Sequence, residues 1–183
     1  EEEISQITNQ AMRGELDFET SLRERVALLK GLPISVFDTV FKFIHLSQNA
    51  QEFISILQKN GILVGLVSGG FSPIVERLAK YLGISYFSAN QLEVKDGFLT
   101  GRLVGEIVTG QVKKATLEKW RTELGLPKER TIAIGDGAND LLMLKSAGHA
   151  IAFCAKEVVK AEIACHVSKR DLLEVLPLID FLE

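Results

Sequence analysis

The sequence predicts an α/β fold, a doubly wound parallel sheet with a small helical block ahead of it. Three observations carry the prediction. A helical stretch, a glycine and a short apolar run recur around Lys59-Asn60-Gly61-Ile62, Tyr81-Leu82-Gly83-Ile84, Glu123-Leu124-Gly125-Leu126 and Ser146-Ala147-Gly148-His149. A glycine just past a helix takes the left-handed conformation that closes the last turn. The apolar runs are continuous rather than alternating, as in strands covered by helices on both faces. Up to about residue 45 the apolar spacing is helical instead.

In chain order, Ile4, Ile7 and Ala11 share one helical face, and Leu22, Val26 and Leu29 share another. Gly14 and Gly31-Leu32-Pro33 interrupt them, so residues 1–45 are expected to form two or three short helices. Residues 46–183 are expected to form the α/β core, with strands at 62–67, 131–134, 150–153 and 163–167. Near residues 92–103, Glu93-Val94-Lys95-Asp96-Gly97-Phe98-Leu99 reads as a hairpin, because Asp-Gly suits a type I′ turn.

With 46% hydrophobic and 25% charged residues, the 183-residue chain is suited to one sizeable core rather than disorder. A net charge of −3 argues against nucleic-acid binding, which calls for a strongly basic face. Cys154 and Cys165 form no disulfide framework, and His45, His149 and His166 match no zinc-ligand spacing. No apolar run approaches the ~18 residues needed to cross a bilayer. A soluble cytoplasmic protein with no membrane or nucleic-acid partner is the expectation. The chain opens without methionine, in what reads as the middle of an amphipathic helix, so further sequence is expected ahead of Glu1.

In an open α/β sheet, ligands bind beyond the carboxyl ends of the strands. Two stretches qualify. In Val67-Ser68-Gly69-Gly70, a hydroxyl and two glycines follow a strand and precede a helix. Such a turn lets backbone N–H groups approach an anion, although it also serves as a plain flexible turn. In Ile134-Gly135-Asp136-Gly137-Ala138-Asn139-Asp140, two acids and an amide crowd one strand-to-helix turn. Magnesium takes such oxygen ligands, together with substrate phosphate and water. The bland alternatives are a helix cap for Asp140 and a turn former for Asp136. Lys113 opens a predicted helix and alone reads as a solvated surface charge. With Ser68 and Asp136 it completes a set of hydroxyl donor, cation and metal carboxylate.

These segments resemble the second, third and fourth motifs of the haloacid dehalogenase superfamily, with its Rossmann-type core. The likeness is strongest to its phosphoserine-hydrolysing branch. Residues 11–19 and 21–26 look like that branch's helical cap, and Phe153-Cys154-Ala155-Lys156 and Lys169-Arg170-Asp171-Leu172 look like its closing segments. The resemblance implies a Mg2+-dependent phosphatase for a small phosphorylated amino acid, phosphoserine or a close relative. It further implies that Ser68 hydrogen-bonds the phosphoryl group, Lys113 stabilises its charge, and Asp136 ligates magnesium. Asn139 and Asp140 would orient phosphate, lysine and water. Arg25 would pair with the substrate carboxylate, Met12 and Phe18 would wall the serine end, and the Gly69 backbone would touch substrate.

One motif has no counterpart. The superfamily's first motif, an apolar strand ending in Asp-x-Asp-x-Thr, supplies the nucleophile and the general acid and base. Leu16-Asp17-Phe18-Glu19-Thr20 carries Glu in place of the second Asp and lies within cap sequence. Val36-Phe37-Asp38-Thr39-Val40 has Val40 where the second carboxylate belongs. The nucleophile is therefore expected ahead of Glu1, and the 183 residues alone are expected to be inactive. Two rival readings are a sister phosphatase acting on phosphohomoserine, phosphothreonine or a similar metabolite, and a non-catalytic phosphate-binding module.

Overall fold

The computed structural model describes residues 17–179, an α/β architecture with two three-stranded sheets. Two short helices come first, α1 (Phe18–Ala27) and α2 (Val36–Lys42), followed by α3 (Ala50–Lys59). A β-α-β unit follows: β1 (Gly65–Phe71), α4 (Ser72–Tyr81) and β2 (Tyr86–Lys95). Next are β3 (Phe98–Val104) and α5 (Gly110–Glu123). The second half holds β4 (Ile132–Gly135), α6 (Leu141–Ser146), β5 (His149–Phe153), α7 (Glu157–Lys160) and β6 (His166–Val167).

Glycines explain three of the helix ends. Gly61, Gly83 and Gly125 have φ of 74°, 66° and 63°. After each, the next N–H reaches back to close the helix: Ile62 to Leu57, Ile84 to Ala79, Leu126 to Arg121. Gly148 departs from the expectation and is not left-handed. It is needed for space, since a Cβ there would lie 2.3 Å from the Lys128 carbonyl oxygen.

Strand boundaries also differ from the expected ones. Ile62 is taken up in closing α3, so β1 starts at Gly65 and runs through Ser68 to Phe71. Ile163 belongs to the end of α7, which leaves β6 only two residues. The first half of β2 was not expected at all. Tyr86-Phe87-Ser88-Ala89 pairs in parallel with Gly65 to Ser68, and only from Gln91 does β2 turn to pair antiparallel with β3. Asp96 and Gly97, at φ of 52° and 83°, make that hairpin's turn.

Helix α1 rests on the hairpin: Leu22 and Val26 pack with Ile107, Phe71, Leu92 and Leu103. The link after α1 adds to the hairpin's free edge, with Gly31 N–H donating to Leu99 and Leu99 N–H to Leu32. On one face, the two sheets share a core in which Phe53, Leu57, Ala79 and Ile84 meet Ile151, Val167 and Val175. On the β1–β2 side, Trp120 of α5 sits over Gly65, where a Cβ would come within 2.5 Å of its ring. The same ring meets Tyr86 edge-on at 5.7 Å.

Despite this shared packing, no strand pairing joins β1 to β4 among the described residues. β1 carries no buried residue, although both its faces have helical neighbours. No helix among the described residues is long and apolar enough to cross a membrane.

Candidate active site

The turn after β4 is built around Asp140. Its Oδ2 accepts the N–H groups of Asp136 and Gly137, both at 3.1 Å, which folds the carboxylate back over the turn. Gly135 and Gly137 make this possible. A Cβ at Gly135 would lie 2.6 Å from the Asp140 Cβ, and one at Gly137 would lie 2.6 Å from Asn139 Oδ1. Helix α7 braces the far side, as Lys156 N–H donates to the Asp136 carbonyl at 3.0 Å.

The other Asp140 oxygen, Oδ1, accepts from Lys113 Nζ at 2.6 Å. Lys113 is the only buried residue of α5, and the two side chains are 7% and 8% exposed. Thr109 starts this helix, its hydroxyl accepting the Val112 N–H at 3.3 Å. Gly110 follows because the Asn139 carbonyl oxygen would lie 3.0 Å from a Cβ there. With both oxygens engaged, Asp140 holds Lys113 and the turn in one unit. Lys113 keeps two of its three donors for an anion.

Asp136 has no hydrogen bond or ion pair to its carboxylate among the described residues, and it is exposed at the carboxyl end of β4. A hard cation held by one or two carboxylates, phosphate and water fits that free group. Asp136 offers one such carboxylate; no cluster of three acidic, histidine or cysteine side chains accompanies it among the described residues.

Ser68 and Gly69 lie near the carboxyl end of β1. The ladder shifts register between Ser68 and Phe71, so Gly69 and Gly70 bulge out. Ser68 Oγ accepts the Gly70 N–H at 3.0 Å, which leaves its own O–H to donate outward. Asn90, which sequence reasoning missed, donates to the Gly69 carbonyl at 2.8 Å. No local pattern marks it, since Gly69 stands 21 positions earlier.

From α1, Phe18 reaches this bulge: its Cζ would lie 3.7 Å from a Cβ at Gly69. Ser21, Leu22 and Arg25 follow on the same helical face at spacings of three, four and seven. Arg25 donates its Nε–H to the Ser21 carbonyl at 3.2 Å and has no acidic partner among the described residues. Its terminal nitrogens are left for a ligand. Met12 lies outside the described residues.

Neither aspartate rejected as nucleophile occupies this site. Asp17 caps α1, accepting from the Thr20 N–H at 3.0 Å and the Thr20 hydroxyl at 2.6 Å. The Thr20 hydroxyl, then its N–H, holds that carboxyl below the ordinary aspartate value. Asp38 pairs with Arg77 on the surface. A cavity of about 790 Å³ between the end of α1 and the hairpin is lined by Lys30, Glu93, Thr100 and Arg102, and holds none of the residues above.

Comparison with known proteins gives a consistent result. The family model for haloacid dehalogenase-like hydrolases matches residues 2–145. Phosphoserine phosphatase of Streptococcus thermophilus is 53% identical over 178 residues, 97% of this chain and 83% of that protein. A solved substrate-bound phosphoserine phosphatase complex superposes with a TM-score of 0.89 at 46% identity, covering 98% of this chain and 85% of that one. A phospho-aspartyl intermediate analogue of phosphoserine phosphatase gives 0.88 at 46% identity, covering 98% and 86%. The chain belongs to the haloacid dehalogenase-like hydrolase family.

Proposed function

We infer that this protein is a phosphoserine phosphatase, which hydrolyses O-phospho-L-serine to L-serine and phosphate in the last step of serine biosynthesis. The observation that carries the reading is the buried Lys113–Asp140 pair in a Gly-Asp-Gly-x-Asn-Asp turn, within a chain 53% identical to a phosphoserine phosphatase. The pair ties an ammonium to the turn that carries the free Asp136 carboxylate, a cation and a metal-type carboxylate in one unit, as phosphoryl chemistry requires.

In this reading Ser68 donates its hydroxyl to the phosphoryl group, and Lys113 offsets the charge that builds on it. Asn139, exposed next to the pair, contributes a further donor. Phe18 walls the serine end beside Gly69, and the open Arg25 fork takes the substrate carboxylate. Asp136 holds magnesium, which when bound offsets phosphoryl charge. Two free cysteines support a reducing cytoplasmic setting.

The nucleophile is assigned to an aspartate on a strand outside these 183 residues. That strand pairs with β1 on one edge and β4 on the other. The split sheet supports this placement, as does the half-exposed β1. The aspartate takes the phosphoryl group as serine leaves, and water then releases phosphate.

Asp136→Asn is expected to lower magnesium-dependent phosphate release by about 10²-fold, since a bound cation supplies several kcal/mol of charge stabilisation. Circular dichroism should be unchanged, because Asp136 packs against little. Normal activity at ordinary magnesium would remove the metal assignment.

Selectivity tests the substrate. Arg25→Ala is expected to weaken phosphoserine turnover by about 1.5–3 kcal/mol, the value of a charge-assisted pair, and to spare an ester with no carboxylate. Equal losses on both esters would make Arg25 structural and favour a different phosphometabolite.

A further inference from the structure

Asn90 has no role in the reading above, yet it is 1% exposed and touches both halves of the phosphoryl-binding apparatus. It sits where β2 changes partners. Ala89 pairs with Ser68 and Asn90 with Phe71, so Gly69 and Gly70 are left out of the ladder. The Asn90 side chain supplies what the ladder does not. Its Nδ2 donates to the Gly69 carbonyl at 2.8 Å, and its Oδ1 accepts the Val108 N–H at 2.8 Å. Val108 is 2% exposed and directly precedes Thr109, the cap of α5. Lys113 N–H then bonds to the Thr109 carbonyl at 2.9 Å. One helical turn separates Thr109, the residue after the Val108 anchor, from Lys113.

We propose that Asn90 is a positioning residue whose carboxamide fixes the Ser68-Gly69-Gly70 bulge against the start of the Lys113 helix, so that hydroxyl and ammonium meet the same phosphoryl group. The inference rests on the reading of Ser68 and Lys113 as phosphoryl-binding groups. The chemistry of the two contacts selects asparagine. A carbonyl needs a donor and an N–H needs an acceptor, so the partners dictate which way the amide points. Aspartate would set an acceptor against the Gly69 carbonyl, and leucine would satisfy neither group. Glutamine would carry the amide one methylene too far for a site this buried.

Loss of the amide leaves two buried backbone groups unpaired, and the bulge and helix start must shift to find partners. Ser68 and Lys113 move with them. Misplacement of reacting groups by about 1 Å lowers rates by about 10²-fold.

The test uses the complete protein and the variants Asn90→Ala, Asn90→Asp, Ser68→Ala and Ser68→Ala/Asn90→Ala, measured below their thermal midpoints. Asn90→Ala and Asn90→Asp are expected to lower kcat for phosphoserine by about 10²-fold. Ser68→Ala should mask the part of the effect that runs through the hydroxyl but not the part that runs through Lys113, so the double variant is expected to lose clearly less than the product of the two single losses. A merely structural Asn90 would give losses that multiply. Multiplying losses, or an Asn90→Asp rate within about twofold of the parent, would overturn the proposal.

Should Asn90→Ala fail to fold, the near-isosteric Asn90→Asp carries the same test. Failure of the phosphoserine reading is seen separately, as a parent protein that releases no phosphate from phosphoserine. Inorganic phosphate binding by calorimetry then decides the role of Asn90. Weaker binding in Asn90→Asp, with a smaller weakening in the Ser68→Ala background, supports it, and unchanged affinity overturns it.

Discussion

Replacing Lys113 with methionine is expected to lower kcat for phosphoserine by about 10³-fold, the upper range for removing one preorganised donor from a developing charge. Methionine keeps most of the stem's volume, so the loss is one of charge rather than packing. It should also destabilise the fold by about 3–5 kcal/mol, because Asp140 is left as a buried carboxylate without its cation. Its other oxygen would still hold the Asp136 and Gly137 N–H groups. Adding Asp140→Asn removes the stranded charge, so the Lys113→Met/Asp140→Asn protein should regain stability but not rate. Denaturant melts and phosphate release on the same samples separate the two effects. A Lys113→Met enzyme with near-normal kcat would make the pair purely structural.

The pair also shows what a linear sequence conceals. Lys113 reads locally as a surface lysine near the start of a helix. Its burial depends on an acid 27 positions later, brought close by a glycine that yields space to that acid's side chain. The turn holding Asp136 and Asp140 is legible because its residues are contiguous and follow an apolar strand. Asn90 is not, because its partners Gly69 and Val108 lie 21 and 18 positions away. The bulge opposite gives it one contact and the segment before α5 the other.

The fold divides along the same line. Three of the glycine stops are local devices, closed by hydrogen bonds within five residues, and their sequence pattern is sufficient. Gly148 carries the same pattern but answers to the Lys128 backbone, 20 residues distant, where any side chain would collide. Residues 86–90 lack a continuous apolar run and merge with the hairpin. Their pairing with β1 is decided by tertiary context rather than by their own spacing.

Phosphate release from phosphoserine by the 183-residue chain, alone and with a separate peptide bearing an apolar strand that ends in Asp-x-Asp-x-Thr, tests most directly whether a strand between β1 and β4 brings the nucleophile. Alone, the chain is expected to release no phosphate above background. In the proposed reading Ser68 and Lys113 bind and polarise the phosphoryl group, but neither described candidate carboxylate is placed to accept it: Asp17 caps a helix and Asp38 pairs with Arg77. With the peptide, turnover and the thermal midpoint should rise together, because the same strand pairs both open edges and delivers the aspartate. Replacing the peptide's first Asp with Asn should keep the gain in stability and abolish the gain in rate. The contrary result is hydrolysis by the chain alone at a rate that survives Ser68→Ala. A carboxylate within the 183 residues would then be the nucleophile, and the split sheet would be no sign of a missing strand.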